Sequence, residues 1–267
     1  MSIVEKYGRE LYEALRGRKP VSPLTSRDPS LTIDDAYNIS INFLTRRQGD
    51  GERVVGKKIG VTSKAVQDML GVNQPDFGFL TDWMCVQGDI DIDAKALIAP
   101  RAEAEIAFIL RDELRGPGVS VADVLAATES IAPCFEIVDS RIADWKIAIV
   151  DTIADNASCG VYILGAERLD PGNFDLPSLH ISVTKNGEFL HHGYGRAVQG
   201  NPAQAVAWLA NTLGEYDVTL AGGDIILSGS LVPLMPAVRG DRFEMILSAS
   251  ETVGELDRLG SCIAQFI

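Results

Sequence analysis

The residues best placed to do chemistry in this chain are carboxylates set among apolar neighbours. In Pro100-Arg-Ala-Glu-Ala-Glu-Ile-Ala-Phe-Ile-Leu110 the alternation over Ala102–Leu110 predicts a strand. Residues two apart in a strand share a face. Glu103 and Glu105 therefore sit together, with Ala104, Ile106, Phe108 and Leu110 on the other side. Two adjacent buried carboxylates repel and lose hydration, at several kcal/mol per ion unless something compensates. A divalent cation is the usual remedy; a solvent-facing strand with exposed glutamates is the alternative. A third carboxylate, Glu136, stands in the middle of the apolar strand Phe135–Val138. Three carboxylates on buried strands suit a hard, oxygen-seeking ion, Mg²⁺ or Mn²⁺. Zinc would want nitrogen or sulfur, and His180, His191 and His192 lie too close to a hairpin to supply a set.

Other positions carry weaker signals. Lys57-Lys58 falls in a predicted strand over Arg53–Ile59, where alternation turns one lysine inward as an anion binder or proton handler, unless the pair lies on the surface. Asp76 falls in a Gly/Asn/Pro loop, Gly71 to Gly78, where an Asx turn would also account for it. Gly193-Tyr-Gly195 is half of a dinucleotide fingerprint without its third glycine, and no Gly-x-Ser-x-Gly elbow exists.

The elements that must position these residues begin with helices. Residues 3–16 carry Val4, Tyr7, Leu11 and Leu15 at helical spacing and stop at Gly17. Thr32 with Asp35 reads as a capping box for a helix whose stripe is Ala36, Ile39, Ile41, Phe43 and Leu44, ending near Gly49. A short helix runs from Ser63 to Leu70. Beyond about residue 86 the texture is mostly strands: Ala102–Leu110, Phe135–Val138, Ala157–Leu164, a hairpin over Val183–Leu190 turning at Asn186-Gly187, then Asp224–Ser228, Arg242–Leu247 and Ser261–Ile267. Helices are predicted at Val119–Ile131, capped by Ser120, and at Ala203–Leu213 after Pro202. The class is α+β, a single domain over 1–267, with a helical N-terminal region (1–75) on a β-rich body (76–267).

Composition excludes several functions. With 24 basic and 37 acidic residues the net charge is −13, which repels nucleic acid and anionic membrane. No apolar run approaches the ~18 residues of a span, and MSIVEKYGRELYEALRGRK lacks a signal peptide's apolar centre. Cys85, Cys134, Cys159 and Cys262 are scattered, as expected of reduced thiols in a cytoplasmic protein.

The strings Val-Val-Gly-Lys-Lys-Ile-Gly-Val-Thr-Ser, Gly-Val-Asn-Gln-Pro-Asp-Phe-Gly, Pro-Arg-Ala-Glu-Ala-Glu-Ile-Ala, Val-Asp-Ser-Arg-Ile-Ala-Asp-Trp-Lys, Asp-Asn-Ala-Ser-Cys-Gly and Leu-Ser-Gly-Ser-Leu together resemble the 2-oxopent-4-enoate hydratases, a family of the fumarylacetoacetate hydrolase-like superfamily. The resemblance runs from about Leu11 to the last strand. It implies a mixed β-sandwich roll, a homo-oligomer, and metal-dependent hydration of 2-hydroxypenta-2,4-dienoate to 4-hydroxy-2-oxopentanoate in aromatic meta-cleavage catabolism. Carried over by position, it implies Glu103, Glu105 and Glu136 as metal ligands, Lys58 and Asp76 as catalytic residues, and Ser158, Gly229 and Ser230 as substrate-binding residues. The sister 4-oxalocrotonate decarboxylase is the nearest alternative activity, and a complex with it is a further implication. A β-diketone hydrolase and a non-catalytic partner subunit are the remaining readings.

Overall fold

The computed structural model describes residues 1–87, 91–251 and 257–267. The chain opens with three helices, α1 (Ile3–Gly17), α2 (Leu24–Arg27) and α3 (Ile33–Gly49). Ser2 with Glu5 and Thr32 with Asp35 form the capping boxes that start α1 and α3. Tyr7 and Leu11 of α1 and Ala36, Ile39 and Phe43 of α3 pack with Ile142 and Ile153 in a satellite core. Ile41 is 50% exposed, contrary to its predicted place in the α3 stripe. It lies two positions from both Ile39 and Phe43, about 200° around the helix, so it faces outward.

There follow β1 (Val54–Gly60), α4 (Lys64–Leu70), β2 (Asp76–Thr81), β3 (Arg101–Leu110), α5 (Val121–Ala127), β4 (Thr128–Val138), α6 (Ile149–Ala154) and β5 (Cys159–Leu164). After these come β6 (His180–Lys185), β7 (Glu188–Tyr194), α7 (Pro202–Gly214), β8 (Ile225–Leu227), β9 (Met235–Pro236), β10 (Arg242–Ser248) and β11 (Arg258–Gln265). Asn186 and Gly187, at φ +55° and +84°, make the predicted turn between β6 and β7.

Several predicted boundaries differ: β4 starts at Thr128 and not Phe135, β11 runs Arg258–Gln265 and not Ser261–Ile267, and three further differences have a local cause. The helix expected over Val119–Ile131 ends at Ala127, where the Thr128 hydroxyl donates to the Val124 carbonyl at 2.7 Å and the chain turns extended. From there the long ladder with β3 outcompetes local helix propensity. The expected loop over Gly71–Gly78 is cut short because Asp76, Phe77 and Gly78 pair with Gly60, Ile59 and Lys58 as the start of β2. The strand expected from Ala157 begins at Cys159, since Asn156, Ala157 and Ser158 all take left-handed φ values of 50–55°.

The larger sheet has the order β2-β1-β8-β3-β4-β5, with β9 on β3, and is mixed because β1 and β8 run parallel. The second is ordered β11-β10-β6-β7. Ala104, Ile106 and Phe108 of β3 and Phe135 and Ile137 of β4 face Ile181, Val183, Phe243, Met245 and Leu247 of the second sheet in the main core, closed by α7. The opposite face of the larger sheet carries a small cluster of Leu80, Ala107, Cys134, Cys159, Tyr162 and Leu227, and beside it the polar groups described next. This is the α+β arrangement of mixed sheets that the sequence predicts. Among the described residues no helix is long and apolar enough to cross a membrane.

Candidate metal centre and active site

Register brings the three glutamates together. In the β3–β4 ladder Glu103 lies opposite Glu136 and Glu105 opposite Cys134. One carboxylate oxygen from each of Glu103, Glu105 and Glu136 lies within 4.8 Å of the others. Glu105 and Glu136 are fully buried and Glu103 keeps partial exposure. Like charges directly opposite on a ladder repel, and here water cannot screen them.

Two groups compensate in part. The Gly229 N–H donates to Glu105 Oε2 at 2.8 Å. Lys58 Nζ stands 3.1 Å from Glu136 Oε1, an ion pair whose angle makes no directed hydrogen bond. Glu105 Oε1 and both Glu136 oxygens thus have no hydrogen-bond donor among the described residues. Buried orphan oxygens of this kind are what a hard cation satisfies, so the three carboxylates fit a divalent ion.

Burial first, then the charge of Glu136, pushes Glu103 up to about 7 and Glu105 well above the usual carboxylate range. Burial alone would lower Lys58, but Glu136, Glu103 and Asp76 more than offset it and hold the ammonium protonated.

Lys57 and Lys58 are both buried, where alternation alone predicted one. They occupy opposite faces of β1, and Lys57 Nζ pairs with Asp224 Oδ2 at 2.5 Å behind the sheet. A buried strand with a carboxylate awaiting each lysine holds both.

Asp76 joins the carboxylate face, since it pairs with Gly60, two residues past Lys58. Its carboxylate serves no Asx turn: neither oxygen has a hydrogen-bond partner among the described residues. Burial raises its pKa to about 6 against the opposing pull of Lys58. A Cβ at Gly60 would overlap Asp76 Oδ1, so glycine is what lets that carboxylate lie against β1.

Ser158 is buried in the left-handed turn after α6, and its hydroxyl is taken up by Asp155 Oδ2 at 3.3 Å and Thr152 Oγ1 at 3.4 Å. Asn156 docks that turn on β2 through its side chain, accepting from Phe79 N–H and donating to Phe79 O. The approach needs Gly78, whose Cβ would fall 2.5 Å from the Asn156 carbonyl. Of the late loop, Gly229 (φ +111°) reaches the cluster, whereas the Ser230 hydroxyl donates locally to Val232 O at 2.8 Å. His180 and His192 approach each other on β6 and β7 and do not join the glutamates.

Sequence reasoning missed three contributors. The fully buried Arg141–Asp155 pair, at 2.5 Å, anchors the turn that carries Ser158. The Cys159 thiol lies beside Glu136; burial and that carboxylate hold it far above the normal thiol range. The Ser228 hydroxyl, next to Gly229, is buried without a hydrogen-bond partner among the described residues. Only the Leu-Ser-Gly-Ser-Leu string hinted at the last. Two clefts, about 520 and 460 Å³, border the chain on either side of Asp76; they share Gln74, Gln199 and Trp208 as a wall, and Thr62, against Gly229, lines the larger.

Residues 65–267 match the fumarylacetoacetate (FAA) hydrolase C-terminal family. The chain is 55% identical over 266 residues to a 2-hydroxyhexa-2,4-dienoate hydratase of Comamonas testosteroni, covering 99% of this chain and 97% of the relative. A 2-hydroxypent-2,4-dienoate hydratase of Pseudomonas putida is 56% identical over 218 residues, covering 81% and 98%. Among solved structures, a 4-oxalocrotonate decarboxylase from Pseudomonas putida G7, complexed with magnesium and adipate, superposes with a TM-score of 0.92 at 32% identity over 99% of this chain and 97% of that one. A buried carboxylate cluster on a mixed sheet, together with these similarities, makes the chain a member of the fumarylacetoacetate hydrolase family.

Proposed function

We propose that this protein is a divalent-metal-dependent hydro-lyase that hydrates 2-hydroxypenta-2,4-dienoate, through its 2-oxo tautomer, to 4-hydroxy-2-oxopentanoate. The observation that carries this reading is the buried Glu103–Glu105–Glu136 cluster with donor-free oxygens, beside a lysine and a proton-holding aspartate. Identity to dienoate hydratases at 55–56%, against 36% and 32% to two 4-oxalocrotonate decarboxylases, supports hydration over decarboxylation.

Glu103, Glu105 and Glu136 would hold Mg²⁺ or Mn²⁺. When bound, such an ion supplies Lewis-acid stabilisation to negative charge developing on the C2 oxygen. Ketonisation requires a proton at C5, and hydration then requires water to add at C4. Asp76 is the group suited to carry these protons, because a carboxyl that titrates near 6 both holds and releases a proton around neutrality. Lys58, kept protonated at Nζ, offers its ammonium to the C1 carboxylate or to enolate charge. Gly229 N–H fixes the orientation of Glu105. Gly229 and Ser230 form the late substrate loop, and Ser158 contacts substrate once its hydroxyl turns from Asp155. A homo-oligomer, association with a 4-oxalocrotonate decarboxylase, and a reducing cytoplasmic setting consistent with four free thiols complete the proposal.

The test offers the purified protein 2-hydroxypenta-2,4-dienoate and 4-oxalocrotonate with Mg²⁺ or Mn²⁺. The proposal expects ultraviolet loss of the first, without carbon dioxide release, abolished by chelator. Carbon dioxide from the second, with the first untouched, would assign decarboxylation instead.

A further inference from the structure

Arg101 opens β3 on the face that carries Glu103 and Glu105, since the β3–β4 ladder runs without a shift from Arg101↔Val138 to Ile109↔Ser130. Lys57, Lys58, Arg47 and Arg141 are all buried against carboxylates. Arg101 is different. Among the described residues its side chain has no ion-pair or hydrogen-bond partner, and its guanidinium lies over the Trp145 ring, 4.3 Å from the centroid.

That ring is held firmly. Asp144 and Trp145 both take left-handed backbone angles, φ +60° and +55°, at a cost of roughly 1–3 kcal/mol each. The indole Nε1–H donates to the Ala99 carbonyl at 2.9 Å. The Ala99 and Ile98 amides in turn donate to the Asp139 carboxylate at 2.7 and 2.9 Å. Asp139, Ala99, Trp145 and Arg101 therefore form one connected lip beside the glutamates.

Stacking on an indole occupies a face of the guanidinium and leaves its in-plane N–H donors free, in the fork that matches a carboxylate. The need for such a group follows from charge. An organic acid approaching a net −13 protein and a site with four carboxylates meets repulsion that buried Lys58 alone does little to relieve.

We propose that Arg101, supported on Trp145, receives the single C1 carboxylate of the substrate at the mouth of the Glu103–Glu105–Glu136 centre, which leaves Lys58 to the enolate charge; the proposal rests on the organic-acid substrate of the hydratase reading. Arg101 is then a substrate-binding residue and Trp145 a positioning residue.

The experiment measures binding of 2-oxopentanoate, a saturated and unreactive 2-oxo acid, to Mn²⁺-loaded wild type, Arg101→Gln and Arg101→Lys by calorimetry, alongside dienoate kinetics. Loss of a charge-assisted pair weakens 2-oxopentanoate and raises KM roughly 10- to 100-fold in Arg101→Gln, with kcat within about threefold and Mn²⁺ affinity unchanged. Arg101→Lys, which keeps the charge and loses the fork, falls between, and raising the salt concentration lowers kcat/KM of the wild type more than of Arg101→Gln. Wild-type affinity for 2-oxopentanoate in Arg101→Gln, with or without a lowered melting temperature, overturns the proposal, as does a fall in kcat at constant KM. If Arg101→Gln does not fold, Arg101→Lys decides by the same two readouts. Should wild type bind 2-oxopentanoate through Arg101 yet leave the dienoate unchanged, the receptor stands and the hydratase reading falls.

Discussion

Glu103 and Glu136 face each other across the β3–β4 ladder with Glu105 alongside, and Lys58, at 3.1 Å from Glu136, leaves both Glu136 oxygens without a directed donor among the described residues. An apolar core would not keep such a set for stability, because burying each ion costs several kcal/mol of hydration, which pairing repays only with excellent geometry. In the proposed reading the cluster holds a metal ion, whose charge relieves that repulsion.

Replacing one of the repelling carboxylates should therefore stabilise the metal-free protein while damaging its function. Glu103→Gln is expected to melt higher than wild type in chelator. Its Mn²⁺ affinity should fall by more than the roughly 10–100-fold that loss of an outer-shell partner costs. Thermal melts with and without Mn²⁺ check both.

The metal-free protein should lose stability as pH rises. Asp76 and Glu103 titrate at about 6 and 7 in the folded chain, above their ordinary values near 4, so the native state holds protons that the unfolded chain has released. Their contribution is complete below about pH 4 and lost as pH climbs through 6 to 7. For Asp76 the loss is at most roughly 3 kcal/mol. Denaturant midpoints in chelator for wild type and Asp76→Asn should converge at low pH, with the wild type falling behind above pH 6.

Asp76→Asn should also lower kcat by about 10²–10⁴-fold, the range for a positioned proton donor and acceptor. The pH–rate limb near 6 should disappear with it, while Mn²⁺ binding persists. Stopped-flow ultraviolet traces across pH 5–9 measure this.

Gly60→Ala gives a subtler probe. The added methyl overlaps Asp76 Oδ1 and displaces that carboxylate without removing it. Turnover should drop at least about tenfold, since a 1 Å misplacement can cost a hundredfold, with secondary structure by circular dichroism unchanged.

The two glutamates of β3 were legible because alternation is a local, period-two property of Ala102–Leu110. Glu136 was legible as a buried carboxylate, but its place opposite Glu103 depends on register, which no local pattern records. Lys57 and Lys58 meet Asp224 and Glu136, which lie far along the chain, so local alternation predicted one inward lysine where tertiary partners bury both. Asp76 was hidden by loop-forming neighbours, and the Asn156–Ser158 turn by three non-glycine residues in a conformation their types disfavour. The capping boxes and the Asn186-Gly187 turn were visible because each is decided within four residues.

The central claim is most directly tested by Mn²⁺ titration, followed by electron paramagnetic resonance, of wild type and Glu136→Gln, with circular dichroism confirming that both fold. The carboxylate cluster predicts one tight ion per wild-type chain and at least a hundredfold weaker binding in the variant, with dienoate turnover lost in parallel. Equal Mn²⁺ affinity in the two proteins, or full turnover by the variant, would contradict it.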